Sequence, residues 1–209
     1  MTDPRSLLDR GIAELGLTPT PEQREALLEL GRLVDRWSTR INLTGHRGVV
    51  EIIRRLVLES VALVSRLPEV ESLADLGSGA GFPGIPIAIL RPSCRVTLIE
   101  SRQKRHHFQR AACRALELRN VTPVLGRAED LEPTAHAAVI AQAVAKPEVA
   151  LALMIPWATS RGWIILPGGS TPPEIQHPGI RAESTSIYPT PCEGPTRSLW
   201  IGRLSSEPS

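Results

Sequence analysis

The chain is poor in several things that whole classes of protein depend on. Only seven of its 209 residues are aromatic (two Phe, four Trp, one Tyr). That is too few for rows of stacked bases, which argues against a single-strand-binding barrel or an RNA-recognition sheet. Three cysteines, Cys94, Cys113 and Cys192, are scattered. They have no paired spacing for zinc and are odd in number for a disulfide framework, so plain buried thiols and no metal are expected. No apolar run approaches the roughly 20 residues that span a membrane. The polar start Met1-Thr2-Asp3-Pro4-Arg5 lacks the apolar core of a signal peptide. Neither sign of charge dominates: 24 basic against 22 acidic residues leave +2, so only local clustering can speak for nucleic acid. Internal repeats and long low-complexity stretches are absent too. The expectation is a cytoplasmic monomer with no membrane contact.

What remains is ordinary globular composition, 42% hydrophobic and 22% charged, long enough for one large domain or one domain with a small extension. The first third reads as helical. Thr20-Pro21-Glu22-Gln23 combines an N-cap, a proline at the first helical position and a Gln that reaches back, a capping box. Leu27, Leu30, Val34, Trp37 and Ile41 then follow at steps of 3 and 4, one amphipathic stripe. A second helix is expected from near Gly48, with Val50, Ile53, Val57, Val61 and Val64 on one face, ending before Pro68. Neither can bury its stripe alone.

From residue 72 the rhythm changes to alternating strand and helix. Strands are expected over 72–77, 95–100, 121–126, 138–144, 162–166 and 198–204. Helices are expected over 84–90, 102–118 (with Phe108, Ala111, Ala112, Ala115 and Leu116 inward) and 147–159. Seven prolines between Pro167 and Arg197 predict irregular connections, and a frayed tail is expected from Ser205. Such alternation implies an α/β fold, a mostly parallel sheet with helices on both faces. The expected division is a helical extension over 1–68, a core over 69–205 and a tail over 206–209. Ligands of such sheets bind at the carboxyl ends of the strands, at the switch point.

The strongest local signal is Asp75-Leu76-Gly77-Ser78-Gly79-Ala80-Gly81-Phe82-Pro83-Gly84 directly after a strand. Gly79, Gly81 and Gly84 satisfy the dinucleotide fingerprint. Counted from Gly77, the same turn is the acidic-x-Gly-x-Gly-x-Gly motif of methyltransferases that use S-adenosylmethionine. A pyrophosphate needs free backbone N–H groups at the helix start, and Pro83 and Pro86 remove two of them. A carboxylate at Asp75 favours a cationic ligand instead. Glu100 ends the next strand, 23 residues after Gly77, where an acidic side chain takes ribose hydroxyls. Gly126-Arg127-Ala128-Glu129-Asp130 forms the following loop at the same edge, placed to read adenine.

These residues resemble the ribosomal RNA small-subunit methyltransferase G family, also called glucose-inhibited division protein B. The resemblance runs from about Trp37 to Arg197. It is carried by Trp37-x4-Asn42-Leu43-Thr44, by Asp75 to Pro86 with the family's Pro-Gly-Ile-Pro tail, by Leu98-Ile99-Glu100-Ser101-x-x-Lys104-Arg105 and by Arg127-Ala128-Glu129. It implies a Rossmann-like methyltransferase fold with an N-terminal helical extension. It also implies transfer of methyl from S-adenosylmethionine to N7 of a guanine in 16S rRNA of the small ribosomal subunit. By position, Gly77, Ser78, Gly79, Gly81, Phe82, Ala128, Glu129 and Gln142 would line the cofactor pocket, and Glu100 would hold the ribose. Three positions depart from the family: its His is Leu56, an Arg is Gln142 and a Lys is Pro167, while Arg197 is kept.

Guanine N7 already carries a lone pair, so no catalytic base is assigned; the chemistry is placement within about 3–3.5 Å of the methyl group. RNA phosphates need cations. Arg102, Lys104, Arg105, His106, His107, Arg110, Arg114 and Arg119 contain only Glu117 as an acid among them, and Lys104, Arg105, Arg110 and Arg197 are the expected RNA contacts. Arg32, Arg36 and Arg40 form a second basic stripe, interleaved with Glu29 and Asp35. Other readings stay open: a relative that binds S-adenosylmethionine and RNA without methylating this guanine, a small-molecule methyltransferase, or a nicotinamide-dependent oxidoreductase.

Overall fold

The computed structural model describes residues 2–142 and 146–205. The expected strand end at Ala143 and Val144, and the tail over 206–209, lie outside the described residues. Two helices open the chain, α1 (Pro4–Glu14) and α2 (Pro21–Ser38). The capping box of α2 forms as the sequence predicts: Gln23 N donates to Thr20 Oγ1, and Gln23 Oε1 accepts from Thr20 N. Gln23 Nε2 also donates to the Ile89 and Leu90 carbonyls, so the start of α2 closes the end of another helix. Leu27, Leu28, Leu30, Leu33 and Val34 of α2 are buried, each contributing roughly 1.5–3 kcal/mol.

The expected second helix is three pieces in one run: α3 (Val49–Ile52), a π-helical turn (Ile53–Val57) and α4 (Leu58–Val64). The wider turn resets which side chains face inward, and nothing in a 3.6-residue pattern announces it. Ile53, Val57, Val61 and Val64 are buried as expected, Leu58 joins them, and Val50 is only partly buried.

The core alternates β1 (Ser72–Leu76), α5 (Gly84–Leu90), β2 (Arg95–Glu100), α6 (Gln103–Ala115), β3 (Val121–Leu125), β4 (His136–Ala141), α7 (Pro147–Met154) and β5 (Ala158–Gly168). Then follow β6 (Ile180–Pro189) and β7 (Thr196–Leu204). The seven strands lie in the order β3-β2-β1-β4-β5-β7-β6, with β7 antiparallel to both neighbours. The chain order reverses between β1 and β4, which makes their carboxyl ends the switch point. The N-terminal helices share one apolar cluster with α5, α6 and one face of the sheet, and Trp37 meets Phe108 edge to face at 5.6 Å. A second cluster around Met154, Trp157 and Trp200 fills the other face.

Two expectations need correction. The segment between Pro167 and Arg197 is not simply irregular, because it contains the ten-residue strand β6. As an edge strand with seven consecutive exposed residues it shows no apolar alternation, and its pairing with β7 supplies the order that the prolines concealed. The long helix stops at Ala115, and Ala115 is exposed; His106, Gln109 and Cys113 join Phe108 and Ala112 on its buried face. All three cysteines are buried and unpaired.

Candidate active site

The glycine turn leaves β1 with Gly77, Gly79 and Gly81 at φ of 71°, 58° and 81°. Side chains rarely adopt such angles, and a Cβ on Gly81 would also stand 2.4 Å from Ile85 Cδ1. The turn is tied down from below. Gly77 N and Ser78 N donate to the Ile99 carbonyl. Ser78 is buried, its Oγ donating to Ile99 O and accepting from Gln109 Nε2, which also donates to Gly79 O. Ser78 therefore anchors the loop and turns its hydroxyl away from the open edge. Gln109 does the same work from α6 and was not singled out by the sequence, although an uncharged amide on the apolar face of a helix was the available signal.

Asp75 does not present its carboxylate to a ligand. It is 1% exposed and lies under the turn, where Oδ2 accepts from Gly84 N at 2.9 Å and caps α5. Burial pushes its carboxyl up to about 8. The sequence argument that this carboxylate favours a cationic ligand is replaced by a structural role. Glu100, at the end of β2, is also buried: Oε2 accepts from Gly79 N and Oε1 from Arg102 N, at 2.9 and 2.7 Å. Each oxygen keeps a further lone pair beside the turn.

Three hollows run along this edge. The first, of about 350 Å³, lies between the turn and the loop after β3, walled by Leu76, Gly77, Ser101, Gly126, Arg127, Ala128 and Glu129. Ala141 joins it to a second of about 460 Å³ beside Gln142, Pro147, Leu166 and Arg197. Gln142, Pro167 and Arg197 join that one to a third, of about 140 Å³, closed by Phe82, Glu59, Leu56 and Tyr188. Leu56, Gln142 and Pro167, taken from three distant segments, thus line one small cavity.

Inside that cavity Arg197 donates from Nε to Glu59 Oε2 at 2.8 Å, and its Nη2 stands 2.8 Å from the same oxygen in an ion pair. Glu59 Oε1 is buried with no partner among the described residues. Burial raises the Glu59 carboxyl above its ordinary range, and the Arg197 guanidinium opposes the rise. Glu59 was not among the expected site residues.

The basic residues divide. Lys104, Arg110, Arg114 and Arg119 are exposed and, among the described residues, make no ion pair; Arg110, Arg114 and Arg119 border a shallow groove of about 550 Å³. Arg105 folds back toward the turn, with Nη1 4.0 Å from Glu100 Oε2. Arg32 and Arg36 are paired with Glu25 and Glu29, so that stripe is largely neutralised.

Residues 23–187 match the sequence profile described as GidB, rRNA small subunit methyltransferase G. The chain belongs to this family. Two relatives named ribosomal RNA small subunit methyltransferase G extend the match. That of Chromohalobacter salexigens is 37% identical over 171 residues, 80% of this chain and 81% of the relative. That of Glaesserella parasuis is 33% identical over 173 residues, 80% and 83% of the two chains. Among solved structures, a SAM-dependent methyltransferase from Aquifex aeolicus superposes with a TM-score of 0.54 at 14% identity, over 73% of this chain and 92% of that one. M. jannaschii TYW2 in complex with AdoMet gives 0.53 at 19% identity, over 69% and 73%. Both show the fold alone. For a small subunit methyltransferase G, the loop geometry is what places Gly77, Ala128 and Glu129 on one wall and Phe82, Gln142 and Arg197 on the next.

Proposed function

We propose that the chain transfers the methyl group of S-adenosylmethionine to N7 of a guanine in 16S rRNA of the small ribosomal subunit. The observation that carries this reading is the continuity of the hollows, from the Gly77–Ala128 side through Ala141 and Gln142 to the Phe82–Arg197 cavity. A nucleoside cofactor in the first hollow turns its reactive end toward the last. S-adenosylmethionine supplies an electrophilic methyl on a cationic sulfur; the methyl bonds to N7 and the electron pair of the broken S–C bond stays on sulfur.

The protein's part is to bind, orient and exclude water. Gly77 leaves the turn free of a side chain where the cofactor lies, and Gly79 and Gly81 give the turn the backbone angles that shape it. Ala128 and Glu129 face its base, Glu100 takes the ribose hydroxyls on its spare lone pairs, and Phe82 and Gln142 form the wall between donor and acceptor. Ser78, Asp75 and Gln109 fix the shape of the loop. N7 holds no proton at neutral pH, so no residue needs to remove one, and in-line placement at about 3–3.5 Å is the main requirement. The base must come from a loop or leave its stack to reach the cavity. Lys104 and Arg110 meet phosphates, Arg105 steadies the turn, and Arg197 works inside the cavity. The helices over 1–68 form an extension docked on the 69–205 domain. The protein acts as a cytoplasmic monomer; for the monomer, among the described residues the exposed large apolar side chains Leu125, Val149 and Ile187 sit on three different elements, β3, α7 and β6.

Deleting the gene and mapping 7-methylguanine in 16S rRNA by mass spectrometry tests the proposal. Loss of one modified site is expected, and an unchanged map overturns it. A second reading draws on Leu56, Gln142 and Pro167 lining one cavity: a relative that binds cofactor and RNA without methylating this guanine. Calorimetric binding of S-adenosylmethionine together with an unchanged map would select it.

A further inference from the structure

We infer that Glu59, held by Arg197, selects guanine by accepting hydrogen bonds from its N1–H and 2-amino group. The inference rests on the methyl-transfer reading above and deepens it by naming what chooses the base. The starting observation is an unmet need. Glu59 lines the small cavity with its side chain 11% exposed; among the described residues Oε2 serves only Arg197 and Oε1 has no partner. A buried acceptor left unpaired costs stability, and a ligand that donates to it removes the cost. The cavity is also small, about 140 Å³ against the about 300–1,000 Å³ of drug-sized sites, so it suits one base edge and not a stretch of polynucleotide.

The chemistry of the pair matches one base. In guanine, N7 and the N1–H/2-amino edge lie on opposite sides of the ring system. A guanine that offers N7 toward Gln142 and Phe82 therefore presents N–H donors to the far wall, where the Glu59 carboxylate accepts them. Arg197 donates from Nε to Glu59 with Nη2 beside the same oxygen, and its other guanidinium N–H groups suit the neighbouring O6 acceptor. Adenine reverses this pattern: its N1 is an acceptor and faces the carboxylate with a second lone pair, while its 6-amino group faces the guanidinium. The backbone supports a dedicated position as well. Glu59 lies just past the π-helical turn Ile53–Val57, a distortion frequently found at functional sites.

The test titrates guanosine, inosine and adenosine 5′-monophosphates into full-length protein saturated with S-adenosylhomocysteine. Inosine lacks only the 2-amino group. Wild type should bind the guanine nucleotide at least tenfold more tightly than the inosine one, and the adenine one more weakly still. Glu59→Gln should narrow the guanine-to-inosine ratio to about twofold, and Glu59→Asp, which keeps a carboxylate, should restore most of it. Equal binding of guanine and inosine nucleotides by wild type overturns the inference, as does a Glu59→Gln variant that is folded by thermal melt and discriminates like wild type. A wild type that prefers guanine yet methylates no small subunit upholds the inference and defeats the proposed function instead.

Discussion

The two ends of the trough have been treated very differently by this sequence. At the cofactor end, the turn from Gly77 to Gly84 is held by hydrogen bonds from its backbone to Ile99, Glu100 and Asp75 and by Gln109, and its motif is one on which the resemblance rests. At the acceptor end, the cavity walls carry Leu56, Gln142 and Pro167 where the resemblance leads one to expect His, Arg and Lys. The difference is physical. A cofactor of fixed shape constrains backbone angles, which few residues satisfy, whereas a base held among side chains can be gripped by several combinations of donors. The Glu59–Arg197 ion pair remains in that cavity, with His46 and Arg55 also on its wall.

This contrast can be broken most forcefully at the turn. Gly81→Ala forces a side chain into a φ of 81° and against Ile85. Strain of about 1–3 kcal/mol should appear as roughly ten- to hundredfold weaker S-adenosylmethionine binding by calorimetry, with RNA affinity little changed. Equal affinity for the cofactor would mean the turn is not its seat.

Next in size is the outer surface. Reversing charge at Lys104 and Arg110 should weaken RNA binding about tenfold or more and lower the salt dependence of log K, by roughly 0.7–0.9 for each phosphate no longer neutralised. Cofactor binding should not move. The same reversal at Arg32 and Arg36, which already answer Glu25 and Glu29, should do far less. Comparable weakening from both pairs would erase the distinction drawn between the two stripes.

How far the sequence could be read follows the same division. The strands β1 and β2 and the short helix α5 stood out because glycines and prolines fence short apolar runs, and the capping box of α2 formed atom for atom. Strand β6 did not stand out, since an edge strand held by its neighbour needs no alternating pattern of its own. Within the site, the turn could be read from spacing, but not what lay beneath it. Asp75 looked like a ligand group and proved to be a cap, and spacing alone did not show that Arg105 approaches Glu100. Glu59 was visible as a residue, but its meaning depends on a π-turn and on Arg197, which is 138 residues away in the chain.

The acceptor end can be sharpened by adding back what it lacks. Gln142→Arg places a guanidinium where the cavity now has a neutral amide, and a hydrogen bond to a charged group is worth about 1.5–3 kcal/mol. Methyl transfer to the small subunit should rise in kcat/KM roughly tenfold, while the affinity for S-adenosylmethionine stays within about twofold. No change in either rate or affinity would mean that Gln142 faces neither the donor nor the base.

The smallest effect returns to the cofactor end and concerns Asp75. Its carboxyl is raised from 3.8 to about 8 by burial, so between those limits the folded protein holds a proton that the unfolded chain releases. Stability from this group is therefore greatest below about pH 4, falls as pH rises, and levels off above about pH 8. Asp75→Asn keeps an oxygen to accept from Gly84 N but cannot ionise. Melting temperatures of variant and wild type should nearly coincide at pH 5, and the variant should melt a few degrees higher at pH 8.5. Cofactor affinity should hold within about threefold at neutral pH, because a neutral group beneath the turn supplies no charge to a cationic ligand. A variant equally destabilised at both pH values would show instead that a charged Asp75 caps α5, and would return to this residue the electrostatic role that its burial argues against.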